Sequence, residues 1–570
     1  MTLPTKQRLP ITHLYVSLMA LGISLSALTP IPPAWGQTGN ASDITGVDLV
    51  ETGTGIFQPT EEEAAGEATG ETEFELDNQA LEETLVNPSS SAGEIYTLQT
   101  QSIINSYAPI LQFLGITIEG EEIPSETIAL ILRQLSDQTG NNTHYVQVSV
   151  TEEGDVAITR IPPANPNSTP NAITSDRNFL SPPWLADRLN PKNLGYQLKA
   201  IRAGLKPVLY PQLFPLSFDL SQNPETSPSA IVSKYQLTGL TGDKTQRLIQ
   251  QFRLKIQDSD TFYKAIGQRL YQLLIEPIEA DLAADNADTI ALSLDSELLG
   301  LPIQALNDGE KFLVEKYAVA VVPSFGLTDI GYTDIRKRSL LAMGSSVFKD
   351  QAALPAVPVE LSTISTNNGQ GRSLLNDQFT VNNFIQTFQE SVQEGQRPGI
   401  IHLATHGEFA PGNYLDSYIQ FNDQRVSLPE FRQIAEELSW DSAETAPELL
   451  VLSACRSAVG DPIAELGFGG LAVASGSKTA LASLWYVSDL GTLALMNEFY
   501  AALQLNPVKS QALQQAQLNL LKGSTQLRSG KLILASGRAI DLPGELSQVP
   551  DQDFTHPYYW SAFTLIGNWN

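Results

Sequence analysis

Cysteine is almost absent from this chain: 570 residues hold a single one, Cys455. That excludes an intramolecular disulfide framework. With only five histidines besides, no cluster of zinc-site spacing exists, so neither a metal nor another cofactor is expected. Basic residues are scarce too. There are 34 Lys and Arg against 63 Asp and Glu, a net charge of −29. Such a surface repels nucleic acid and anionic membrane, and neither is expected as a partner. No repeat at a solenoid period occurs. The glycine-rich Gly467-Phe468-Gly469-Gly470 lacks the following Lys-[Ser/Thr] that a phosphate loop needs.

The amino terminus reads as an export signal over residues 1–36. Lys6 and Arg8 supply its charge, and the apolar stretch from Leu14 to Leu28 is too short to span a bilayer comfortably. Ala34-Trp35-Gly36 places small residues before a cut at Gln37. No cysteine lies near Gly36, which excludes a thioether-linked lipid, and no stable membrane anchor is expected after cleavage. The expected location is secreted or periplasmic. In an oxidising compartment a lone cysteine is a buried spectator, an intermolecular link or a reactive thiol.

Between Arg8 and Arg133 there is no Lys or Arg, while Glu61-Glu62-Glu63, Glu67, Glu71, Glu73 and Glu75 crowd one stretch. Residues 37–94 hold few aromatics and cannot bury enough apolar area to offset chain entropy, so a disordered acidic linker is expected. Residues 95–161 read as a small α+β unit. Thr127 to Leu135 has helical spacing ended by Gly140-Asn141-Asn142, then Val146, Val148, Val150 and Val156, Ile158 alternate as a β-hairpin. Such a unit is too small to stand without docking. Residues 162–233 are dense in proline, which removes backbone donors, and form an irregular connector.

From 234 to 570 the texture is alternating. Apolar runs at Thr289 to Leu294, Ala318 to Val322, Ser339 to Met343, Gly399 to Ala404, Glu448 to Ala454, Thr479 to Leu484 and Phe563 to Ile566 read as buried strands. Helical patterns at Val381 to Val392, Leu466 to Ser475 and Thr492 to Leu503 separate several of them, and Phe262 to Leu274 keeps one helical face with Asp258 or Ser259 available as its cap. Alternation of this kind implies βαβ crossovers and a largely parallel sheet covered by helices on both faces.

Two of these strands carry chemistry at their ends. One leads into His406-Gly407 and the other into Cys455, 49 residues later. A thiol and an imidazole delivered by neighbouring strands of an open α/β sheet are the parts of a nucleophile–base pair. The spacing matches the caspase signature, an Ala-Cys-[Arg/Gln/Gly] step with a histidine about 50 residues upstream. His402 competes for the base. It lies inside the apolar run, where a neutral core histidine is the default. His406 ends the run and precedes Gly407, which lets the backbone turn, and is the stronger candidate. For Cys455 the bland alternative is a small buried hydrophobe. His144 and His556 have no evident partner, and structural roles are expected of them.

The runs Ile401-His402-Leu403-Ala404-Thr405-His406-Gly407-Glu408-Phe409, Leu452-Ser453-Ala454-Cys455 and Ala482-Ser483-Leu484-Trp485-Tyr486-Val487-Ser488-Asp489 together resemble the CHAT domain. So do Phe312 to Tyr317 with Val322-Pro323-Ser324, and Tyr558-Tyr559-Trp560-Ser561-Ala562-Phe563. The resemblance runs over about 236–570 and implies a caspase-like fold related to separases. It also implies an endopeptidase acting on protein or peptide, with Cys455 as nucleophile, His406 as base, and the N–H groups of Gly407 and Cys455 as oxyanion hole. It implies that Asp489, just after the Leu-Trp strand, faces a P1 arginine or lysine. Ser488 and Asp489 also stand where a helix begins and would cap it. The family is common in filamentous cyanobacteria, which points to a Gram-negative-type periplasm. One departure stands out. Many members carry an acidic residue and Thr-Gly after the cysteine, where this chain has Arg456-Ser457-Ala458. A non-catalytic caspase-like interaction module is the alternative class of function.

Overall fold

The computed structural model describes residues 123–150, 156–165, 196–197, 209–210, 233–237, 242–258, 261–295, 298–368, 371–408, 417–440, 445–456 and 476–570. All belong to one unit, Gln79–Asn570. The export signal, the acidic segment 37–94, most of the proline-rich 162–233, the Gly467–Gly470 loop and the expected helix from Leu466 to Ser475 lie outside the described residues.

The described strands of the main sheet are β1 (Thr143–Val150), β2 (Val156–Ile161), β3 (Ser233–Leu237), β4 (Thr289–Leu294), β5 (Ala318–Val321), β6 (Ser339–Gly344) and β7 (Gly371–Leu375). They continue with β8 (Pro398–Glu408), β9 (Tyr418–Gln420), β10 (Arg425–Ser427), β11 (Leu449–Arg456), β12 (Thr479–Ser483) and β13 (Phe563–Gly567). Their order is β10-β9-β8-β11-β12-β13-β5-β4-β1-β2-β3, with β6 alongside the first part of β8 and β7 outside β6. Seven neighbouring pairs run parallel, among them β6–β8, β8–β11 and β11–β12, so the sheet is largely parallel as expected. The β1–β2 pair does not stand apart. β1 lies parallel to β4, from Thr143 beside Thr289 to Val148 beside Leu294, and carries the sheet outward.

The longer helices among the described residues are α1 (Ser125–Thr139), α2 (Gly242–Gln257), α3 (Tyr263–Leu274), α4 (Glu276–Ala284), α5 (Val357–Asn368), α6 (Val381–Gln393), α7 (Leu428–Glu437), α8 (Asp489–Leu505) and α9 (Lys509–Leu521). α1 stops at Gly140, whose φ of 73° is open to glycine at little cost. Of the two caps expected for α3, Ser259 lies outside the described residues and Asp258 is engaged elsewhere. Asp258 pairs with Lys255 at the end of α2, and α3 starts from a turn in which Lys264 N–H donates to Thr261 O.

Alternating residues of the central strands sort into two cores. Ile400 and Ala404 of β8, with Leu449 and Val451 of β11, join the larger core, which takes in α5, α8 and α9. Ile401, Leu403, Leu450 and Leu452 face the other way, onto Phe384 and Phe388 of α6, Phe431 of α7 and Trp440. This two-sided burial is why the strands read as unbroken apolar runs. It leaves the strand ends as the places where polar side chains emerge.

Candidate active site

The strands of the two key residues run further than their apolar runs. β8 continues past Ala404 through His406 and Gly407 to Glu408, and β11 continues through Cys455 to Arg456. The turn expected at Gly407 is therefore absent, because β9 extends the ladder there, with Gly407 paired to Ile419. β8 and β11 pair in parallel from Ile400 beside Leu449 to Leu403 beside Leu452. The register then shifts, an irregularity in β8, and resumes with His406 beside Ala454 and Gly407 beside Cys455. Neighbouring strands are about 4.8 Å apart, so the backbones of His406, Gly407 and Cys455 share one small patch at the carboxyl edge of the sheet.

His406 is half-buried. Its Nε2 lies 2.8 Å from the carbonyl oxygen of Ala352, in the segment joining β6 to α5. A carbonyl only accepts, so Nε2 carries the hydrogen and Nδ1 is the basic nitrogen of the neutral ring. The Phe348 ring packs on the imidazole with centroids 4.6 Å apart. Burial lowers the His406 pKa below 6.5 against the opposing pull of the Ala352 bond, which keeps the ring neutral at pH 7.

His402, the competitor, is wholly buried and occupied. Its Nδ1 is 3.1 Å from the Tyr500 hydroxyl of α8. Its Nε2 is 2.8 Å from Glu360 Oε1 of α5, close but too far out of line for a hydrogen bond. Burial first, then the nearby Glu360 carboxylate, pushes the Tyr500 pKa well above 10. The group ties β8 to both covering helices and is closed off from any substrate.

Asp489 opens α8, but it does not cap that helix. Ser488 does, its Oγ accepting from Gly491 N–H at 3.2 Å. The Asp489 carboxylate turns instead to α5, accepting from Ala356 N–H at 2.6 Å. Burial raises its pKa to about 7. The Ala356 bond opposes the shift and the charge of Glu360 adds to it. Asp489 and His406 thus hold the same segment, at Ala356 and at Ala352.

His144 and His556 each make local contacts away from this patch. His144 Nδ1 lies 2.9 Å from buried Arg160, and burial foremost, then Arg160, lowers its pKa to about 4. His556 Nδ1 accepts from Tyr558 N–H and the ring sits edge-on to Tyr263. On the flank of the site, the Tyr418 hydroxyl donates to Glu408 and accepts from Gln351. Among the described residues no group of three or more His, Cys, Asp or Glu could hold a metal, and no helix is long and apolar enough to cross a membrane. The sequence reading missed Ala352 and Phe348. A backbone carbonyl and a loop phenylalanine 54 and 58 residues before His406 carry no motif.

No curated protein matches the chain. Among solved structures it is similar to the Arg-specific cysteine proteinase gingipain R, at 8% identity and a TM-score of 0.33 over 58% of this chain and 68% of that one. A complex of Porphyromonas gingivalis RgpB pro- and mature domains matches at 9% identity and 0.32, over 57% of this chain and 76% of that one. The Saccharomyces cerevisiae separase–securin complex matches at 11% identity and 0.37 over 84% of this chain, which spans 34% of that one. The family model described as CHAT domain matches residues 264–568. That is more than half of the chain and takes in His406, Cys455 and Asp489: the chain belongs to the CHAT domain family.

Proposed function

We propose that this protein is an exported cysteine endopeptidase in which Cys455 is the nucleophile and His406 the general base. One observation carries the reading. β8 and β11 pair so that Gly407 lies beside Cys455 and His406 one residue away, while Ala352 holds His406 as its Nε2–H form. Nδ1 of that form takes the thiol proton, and the thiolate adds to the scissile carbonyl carbon. The N–H groups of Gly407 and Cys455 donate to the oxygen that becomes negative. The imidazolium then returns its proton to the leaving amine as the C–N bond breaks. Water, deprotonated by the same nitrogen, hydrolyses the thioester and restores the thiol.

The preferred P1 residue is Arg or Lys. The support is an anionic group at the same edge: Asp489 has no Lys or Arg partner among the described residues, and a guanidinium would supply one in fork geometry. The chain's acidic balance also favours basic substrates. Export rests on the amino-terminal sequence, and the location is the periplasm or the exterior.

The test uses the full chain and an Arg-terminated acyloxymethyl ketone, which alkylates a catalytic thiolate. Labelling of Cys455 that disappears in His406→Ala supports the dyad. Equal, slow labelling by this probe and by iodoacetamide in both chains would overturn it in favour of the interaction module.

A further inference from the structure

The segment Ser346–Ala356 has an unusual set of anchors for a connection. At its start Ser346 N–H donates to Asn376 Oδ1 at 2.8 Å, and Leu354 N–H closes back onto Ser346 O at 3.0 Å. In its middle the Phe348 ring and the Ala352 carbonyl both rest on His406. At its end Ala356 N–H donates to Asp489 Oδ2 at 2.6 Å. Only three residues lie between Ala352, which orients His406, and Ala356, which Asp489 holds. Asp489 gains nothing for its own helix from this bond, since Ser488 already caps it. The carboxyl is also held near Glu360, one turn into α5, where a second acid is unwelcome.

We propose that Asp489 is a positioning residue for the base: through Ala356 it fixes the strap whose Ala352 carbonyl selects the Nε2–H form of His406. This rests on the reading of His406 as general base. It assigns Asp489 a task separate from facing a P1 side chain, and the two tasks use different properties of the carboxylate. Facing an arginine needs its charge. Holding Ala356 needs only an acceptor oxygen at the right reach, which an asparagine amide keeps and a shorter side chain loses.

The groups around the two ends are few. Glu360 and the Ala356 N–H act on Asp489, Asp489 in turn on Tyr486, and the Ala352 carbonyl on His406. A change in the His406 ring on substituting Asp489 therefore has the strap as its route.

The experiment reads the imidazole directly, by 15N NMR of the full chain in a Cys455→Ala background, with His406 assigned by its loss in His406→Gln. The expected spectrum of the parent shows protonated Nε2, bare Nδ1 and a midpoint below 6.5. Asp489→Asn should leave both unchanged. Asp489→Ala should mix the two tautomers and move the midpoint further down, because the Ala352 bond that raises it is loosened. Asp489→Ser, short but well suited to a helix start, serves if the alanine chain does not fold. In the cysteine-containing chain, Asp489→Ala or Asp489→Ser should lower kcat about tenfold on neutral peptides, where no paired charge is lost and Asp489→Asn has no effect. An imidazole unchanged in Ala and Ser, with His406→Ala inactive, would overturn the positioning role alone. Full activity of His406→Ala would remove the base reading and this proposal with it.

Discussion

The two edges of the central sheet treat their charges in opposite ways. At the amino edge, Arg338, Arg397, Glu448 and Lys478 stand one residue before β6, β8, β11 and β12, four strands that lie side by side. Buried Glu448 is met by Lys478 at 3.2 Å, Arg338 at 3.5 Å and Arg397 at 4.0 Å, and Lys478 reaches Asp329 at 3.6 Å. Nearby Lys509 is itself buried, and burial lowers its pKa to about 8. At the carboxyl edge no charge is neutralised in this way among the described residues. Asp489 is pushed to about 7 by burial with one backbone donor for company, and His406 is held neutral below 6.5. One edge is a clamp, where a buried anion is surrounded by cations. The other carries a carboxyl raised by burial and an imidazole lowered by burial, a pair that the proposed proton transfer would use.

The sharpest way to break this contrast is to remove the proposed nucleophile and base. Cys455→Ala and His406→Ala are each expected to cut peptidase turnover by about a thousandfold or more, with melting temperature little changed. A fluorogenic Arg peptide and a thermal scan on the same samples read both. Glu448→Ala should do the reverse. Leaving Arg338, Arg397 and Lys478 around an empty site costs about 3–5 kcal/mol of stability, read by urea denaturation. A stable Glu448→Ala chain that lost turnover selectively would erase the distinction between the edges.

Asp489→Asn sharpens it through pH. The acid's native pKa of about 7 lies above its ordinary 3.8, so the folded chain holds a proton that the unfolded chain has released. That contribution is complete below about pH 4 and is lost as pH rises through 7. Wild-type stability should therefore fall relative to Asp489→Asn across that window, and parallel denaturation curves at the two ends would contradict it. The same variant should lower cleavage after Arg about a hundredfold through loss of the paired charge. The smallest effect is expected from Tyr500→Phe. It removes the hydroxyl beside His402 and should cost about 1 kcal/mol, with no change in the pH profile of turnover.

Much of the fold was legible because both faces of the sheet are covered. Thr289 to Leu294 reads as a strand and is one, residue for residue, since every position there is buried. The ends were misread where polarity sets in. His406 and Cys455 look like terminators by composition, yet each strand runs on, because β9 pairs with Gly407 and Glu408 and β11 with His406 to Glu408. His402 was separable from His406 by its apolar neighbours, and its burial against Glu360 and Tyr500 agrees. The cap near Ser488 was legible, but the target of Asp489 was not: it lies in the segment before α5, 133 residues away.

The sequence by itself determined the family, the alternation of strands and helices, and which two strands carry the thiol and the imidazole. These depend on residue types at short range and on apolar runs that sheet burial demands. Only the tertiary structure decided the register that sets Gly407 beside Cys455, the tautomer of His406 and the partner of Asp489. The latter two are settled by backbone groups at Ala352 and Ala356. Every residue carries the same carbonyl and, proline apart, the same N–H, so no side chain in the sequence announces which of them will be used.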